Sequence, residues 1–153
     1  MGSLLRTSEG LGLQKVFLTG YTPYPTLLHD SRLPHLAQKI DRQIAKTALG
    51  AESLIAWEHQ ETIDAVIAKL RTDGFVVQAL EQTTAATPLN AFIVPEKLAL
   101  VVGREVEGIE PEVLALCDGA IEIPMLGKKE SFNVVQAAAM ALYHCRYSPY
   151  NVL

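Results

Sequence analysis

Apolar residues along this chain fall into two rhythms. Short, nearly continuous apolar runs occur at Lys15 to Gly20 (KVFLTG), Phe75 to Leu80 (FVVQAL), Leu98 to Val102 (LALVV) and Ala120 to Ile123. Such runs, bounded by Gly, Pro or Asp, read as strands buried on both faces. Ser53 to Trp57 is a further strand candidate. Between the runs, apolar residues return every three or four positions. Leu4, Leu5 and Leu11 mark a helix within Met1 to Leu13, with Gly10 and Gly12 suited to its end. Leu36, Ile40 and Ile44 mark a helix over Leu36 to Leu49, and Ile63, Val66, Ile67 and Leu70 one over Glu61 to Arg71 that stops at Asp73-Gly74. A short helix follows Gly108, and an Ala-rich helix follows Ser131.

Strands alternating with helices predict an α/β fold, a mostly parallel sheet with helices on both faces. Two connections are longer than a turn requires. Tyr21 to Pro34 carries Pro23, Pro25 and Pro34 and suggests a binding loop; Thr83 to Pro95 reads as a polar loop. In such sheets ligands bind beyond the carboxyl ends of the strands. That rule points to the exits after Leu80, Gly103 and Ile123, all rich in Gly, Pro, Thr and Ser.

Composition narrows the class. A length of 153 residues suits one domain with its own core, taken here as residues 1–153. No apolar run is long enough to span a membrane and no leader peptide is visible, so an unexported, cytoplasmic protein is expected. A net charge of −4 argues against nucleic-acid binding by bulk charge, though not against a local basic patch. Lys39, Arg42 and Lys46 make the second helix the most basic segment, either a solvated face or an RNA-facing one. Cys117 and Cys145 fall in expected helices, outside any CxxC spacing, and read as buried free thiols. The four histidines form no metal-binding pattern, so no metal is expected. Gly10-x-Gly12 lacks the third glycine and the preceding strand of a dinucleotide fingerprint, and Gly127-Lys128-Lys129 lacks the first Gly and the Ser/Thr of a phosphate loop. Taken singly, Ser131 is a helix N-cap and Asn133 a polar residue of the first turn.

Three motifs then stand in order: Gly2-Ser3-Leu4-Leu5-Arg6-Thr7; Leu100-Val101-Val102-Gly103-Arg104-Glu105-Val106-Glu107-Gly108-Ile109; and Ile123-Pro124-Met125-Leu126-Gly127 with Ser131-Phe132-Asn133-Val134-Val135-Gln136-Ala137. With these the chain resembles the SpoU (TrmH-like) branch of the SPOUT RNA methyltransferases. The resemblance implies an RNA ribose 2′-O-methyltransferase acting on tRNA or rRNA, with S-adenosyl-L-methionine as cofactor. It also implies a deep C-terminal trefoil knot and a homodimer. Carried over by motif, Leu80, Gly103, Ile123, Met125, Ser131 and Phe132 would line the cofactor. Glu105 would organise the second-motif loop, Ser131 and Asn133 would lie near the transferring methyl, and Arg6 would contact an RNA phosphate. The family's first-motif Asn, and the strand before it, would stand ahead of Met1. Arg104 replaces a common Asn, and His144 a common Glu. A catalytically impaired RNA-binding relative that keeps the cofactor pocket, and an unrelated small-molecule-binding α/β domain, are the alternative readings.

Overall fold

The computed structural model describes residues 1–129 and 131–148. The chain divides into two units, Met1–Thr62 and Ile63–Leu153.

The first unit contains helix α1 (Gly2–Gly10), strand β1 (Val16–Thr19), helix α2 (Pro34–Ala48) and strand β2 (Trp57–Gln60). The two strands pair in parallel, Val16 opposite Trp57. Buried Leu5, Ile44, Ala48 and Ile55 form the core, with Met1, Leu13, Val16, Ile40 and Trp57 packed on it. The helices α1 and α2 approach through Gly2: a Cβ there would lie 2.8 Å from the backbone nitrogen of Ala48, so only glycine fits. Pro34 opens α2 at its first turn, and Leu49 closes it in the left-handed region (φ 53°).

The strand expected at Ser53 to Trp57 is displaced. Ala51–Ser53 form a 3-10 turn, Leu54 is exposed and Ile55 drops into the core. The strand is instead the polar run Trp57–Gln60. Its ladder to β1 defines it, and that pairing leaves no apolar pattern in the local sequence.

The proline-rich loop after β1 is held by Arg32. Its guanidinium bonds Asp30 (2.5 and 2.8 Å) and the carbonyls of Tyr24 (3.1 Å) and Pro25 (3.2 Å), and covers the Tyr24 ring at 3.6 Å. Tyr24 in turn stacks on His59. The hydrogen bond from Arg32 holds the Asp30 carboxyl well below the usual carboxylate range.

The second unit contains α3 (Ile63–Thr72), β3 (Val76–Leu80), the two-residue β4 (Thr87–Pro88), β5 (Leu98–Val102), α4 (Pro111–Leu116), β6 (Gly119–Glu122) and α5 (Val134–Tyr147). Its sheet has the order β4-β6-β3-β5, all parallel. The core joins Leu98, Leu100 and Ile121 to Ala141 and Cys145 of α5. Val77 and Ala79 alternate to the other face of β3 and are fully buried. Asp118 ties the entry of β6 to β3. Its carboxylate accepts the N–H of Val77 (2.8 Å) and the guanidinium of Arg71 (2.6 Å). The hydrogen bond from the Val77 N–H, together with the bond and charge of Arg71, lowers its pKa against the effect of burial.

Thr83 to Pro95 is less of a loop than its polarity suggests. It contains β4 and a 3-10 turn at Leu89–Ala91, and both Leu89 and Val94 enter the core. The last strand starts and ends one residue earlier than expected. Cys117 caps α4 half-buried instead of lying inside it. Cys145 is buried, and burial raises its thiol pKa to about 11. Among the described residues no helix is long and apolar enough to cross a membrane.

Candidate active site

The central position of β3 determines where the exits fall. Leu80 pairs with Val102 on one side and with Ile121 on the other, so the three strands end level. The N–H of Glu81 donates to the Ile121 carbonyl (3.0 Å) and carries the alignment one residue further. The exits after Leu80, Gly103 and Ile123 therefore leave one end of one sheet, as the strand-end rule expects.

The first wall is the turn from Gly103 to Gly108. Arg104 and Gly108 exchange backbone hydrogen bonds (3.0 and 3.2 Å), closing it into a small hairpin. A Cβ on Gly103 would overlap the Gly108 carbonyl and stand 2.6 Å from the Ile109 nitrogen. Gly108 has φ +69° and lies against Glu81, whose Oε2 would be 2.5 Å from an added Cβ. Gly103 is thus required by close backbone approach, and Gly108 by its dihedral, with the Glu81 carboxylate against it. Glu105, Val106 and Glu107 form the exposed tip.

Glu81 is the residue that reasoning from sequence missed. Its Oε2 accepts the Ile109 N–H at 2.9 Å and its Oε1 accepts the Gln82 N–H at 3.0 Å. One side chain therefore clasps the end of the Gly103–Gly108 turn to the exit of β3. A carboxylate directly after a buried strand was the available signal; its partner lies 28 positions away.

The second wall runs from Ile123 to Asn133. Ile123 packs on the core, Met125 is half-buried, and Leu126 is fully exposed. Ser131 and Phe132 are exposed on the approach to α5. Among the described residues, the backbone groups of 124–129 and 131–132 make no hydrogen bond to other backbone. They are available to a polar ligand, beside an apolar flank from Ile123 and Met125. That donor set suits an amphipathic nucleoside held largely through backbone groups.

The cap of α5 is Asn133, not Ser131. Its Oδ1 accepts the N–H groups of Val135 (3.0 Å) and Gln136 (3.4 Å). The cap lies two residues later than expected because the helix starts at Val134, and the capping oxygen must precede it directly. The same amide donates through Nδ2 to Glu105 Oε1 at 2.5 Å. One side chain thereby starts the helix and joins the two walls.

Leu80, Gly103, Glu105, Ile123 and Asn133 are thus brought together at one end of the second unit's sheet, with Met125, Ser131 and Phe132 on the second wall. Arg6 is exposed on α1 of the first unit. Among the described residues no group of three His, Cys, Asp or Glu side chains is placed to hold a metal ion.

Comparison with known proteins gives concordant matches. Residues 1–143 match the family described as SpoU rRNA Methylase. The tRNA (guanosine(18)-2′-O)-methyltransferase of Escherichia coli K12 is 27% identical over 95% of this chain and 57% of its own length. A 23S rRNA (guanosine(2553)-2′-O)-methyltransferase of Bacillus subtilis is 26% identical over 95% of this chain and 52% of its own. The chain thus spans little more than half of either relative. The structure of the SpoU methyltransferase AviRb from Streptomyces viridochromogenes, in complex with AdoMet, superposes with a TM-score of 0.78 at 19% identity, over 95% of this chain and 51% of that one. At that identity the likeness concerns the fold alone.

Proposed function

The chain belongs to the SpoU rRNA methylase family, and from that premise we propose that it transfers a methyl group from S-adenosyl-L-methionine to a ribose 2′-hydroxyl of tRNA or rRNA. The observation that carries the reading is the Glu105–Asn133 hydrogen bond, which joins the two strand-exit loops on either side of the Leu80 strand end. The named activities of the relatives agree in reaction and differ in RNA, so tRNA and rRNA are both retained.

In this reading Leu80, Gly103, Ile123, Met125, Ser131 and Phe132 hold the cofactor, Gly103 through backbone and Ile123 through apolar surface. Bound there, S-adenosyl-L-methionine supplies an electrophilic methyl on a sulfonium. Glu105 and Asn133 keep the two loops at a fixed spacing, so ligand binding need not order them first. Ser131 lies at the polar end of the second loop, near the reacting groups. Arg6 holds an RNA phosphate. A guanidinium stays protonated and cannot serve as a base, so its part is to lower the proton affinity of the neighbouring hydroxyl while phosphate or water takes the proton.

Residues 1–153 are proposed to act as one methyltransferase domain, with sheet faces covered by helices and a deep C-terminal trefoil knot. A homodimer accords with exposed Met140, Tyr143 and Tyr147 along α5, an apolar face suited to a second copy. A cytoplasmic location accords with an RNA substrate.

Incubation with bulk tRNA and rRNA and methyl-labelled S-adenosyl-L-methionine tests the proposal. Label recovered as 2′-O-methylribose is expected. Cofactor binding without transfer would support the impaired relative instead, and absence of cofactor binding would remove both readings.

A further inference from the structure

The most basic helix presents its Lys and Arg side chains, with His35, as a single line. His35, Lys39, Arg42 and Lys46 of α2 are all exposed and follow the spacing i, i+4, i+7, i+11. At 3.6 residues per turn they fall within about 60° of arc and extend roughly 16 Å along the axis. Buried Ala37, Ile44 and Ala48 occupy the opposite side of the same helix. The line therefore faces away from the packing against α1.

Two observations separate it from an ordinary solvated face. First, the charge is concentrated. Residues 1–62 hold six Lys and Arg against six Asp and Glu, whereas residues 63–153 hold seven against eleven. A formally neutral unit thus places half of its Lys and Arg on one helix face. Second, among the described residues no carboxylate forms an ion pair with them. The ion pairs among the described residues join Lys15 to Glu58, Arg32 to Asp30, Arg71 to Asp118 and Arg104 to Glu110. The acidic residue of α2, Asp41, instead accepts the Thr26 N–H at 2.9 Å. Arg42 bonds the Gln38 carbonyl through Nε alone, leaving its terminal nitrogens for another acceptor.

We propose that the His35–Lys39–Arg42–Lys46 line on α2 is a docking surface for the phosphate backbone of the substrate RNA. This rests on the RNA methyl-transfer reading and extends it to a surface in the unit that also carries Arg6. An elongated row of cations suits a regularly charged strand better than a compact anion. It positions the RNA without reading its sequence.

Neutralising three phosphate contacts would make the log–log salt dependence of RNA binding shallower by about 2 to 3. The experiment measures filter binding of unfractionated tRNA and of total rRNA to the full chain between about 50 and 200 mM salt. Wild type is compared with the triple variant K39Q/R42Q/K46Q and with K69Q, a lysine exposed on α3. Labelled S-adenosyl-L-methionine binding and the melting temperature report that each variant is folded. The expected result is a roughly 10- to 100-fold loss of RNA affinity at the lower salt for the triple variant, with the shallower slope and unchanged cofactor binding. K69Q should match wild type. Wild-type RNA binding with an unaltered slope in the triple variant overturns the docking surface and leaves the methyl-transfer reading standing. No RNA binding by wild type overturns both. If the triple variant does not fold, the single variants K39Q and K46Q decide: a slope change of about 0.7 to 0.9 each supports the surface, and none overturns it.

Discussion

The turn after β5 and the loop after β6 leave the same end of the same sheet, yet they are held by different means. Gly103 to Gly108 is closed by its own backbone, with two hydrogen bonds between Arg104 and Gly108 and the Glu81 clasp beneath. Its shape is set where no side chain can enter. Ile123 to Asn133 has no comparable backbone bonding among the described residues and is tied at its far end by the Asn133 amide. A loop that closes on itself depends on what it excludes. A loop tied at one end depends on the polar contact that ties it, here the Asn133 amide on Glu105.

The sharpest test of that contrast adds one methyl group. Gly103→Ala places carbon against the Gly108 carbonyl, which cannot move without opening the hairpin. A loss of about 2–3 kcal/mol in chemical denaturation is expected, together with loss of S-adenosyl-L-methionine binding by calorimetry. Wild-type stability would show that the turn is not locked.

Asn133 ranks next and separates cap from tie. Asn133→Ala removes both and should cost about 1–2 kcal/mol. Asn133→Asp keeps the capping oxygen but sets a second carboxylate against Glu105. It should melt near wild type while binding cofactor less tightly. Equal cofactor affinity in both proteins would remove the Glu105 contact from the account.

A smaller effect is expected at Glu81. Glu81→Gln retains an acceptor for the Ile109 N–H, whereas Glu81→Ala leaves that N–H without its partner at a cost of about 1–2 kcal/mol. Gln should therefore restore melting temperature and cofactor affinity relative to Ala. If Ala equals wild type, the clasp is incidental.

The smallest effect is expected at Gly127. No atom lies within 4 Å of an added Cβ, and its φ is not positive. Gly127→Ala should change stability by less than about 0.5 kcal/mol. A large loss on thermal denaturation would mean that the second loop is as constrained as the first.

Much of this is legible in the sequence alone. Val76–Leu80, Leu98–Val102 and both long helices of the first unit follow from apolar spacing alone, because burial and periodicity are local properties. The second and third motifs marked both walls. The errors have a common origin. Trp57–Gln60 is a strand through pairing with β1, so its polar side chains disguised it. Leu89 and Val94 are core residues within a run that looks like a loop. Ser131 has a cap's chemistry, but the helix begins two residues further on.

The sequence by itself determined the alternation of strands and helices, the three exits and the glycines between which the first wall turns. It also placed a row of cations on one face of α2, since helical spacing alone decides that. Only the tertiary structure decided that β3 lies between β5 and β6, and hence that exits far apart in the chain open at one edge. The Glu81–Ile109 and Glu105–Asn133 bonds depend on that strand order and each spans 28 positions. Local propensity carries no information across such a distance; the hydrogen bonds become possible once the parallel ladder has set the strand ends level.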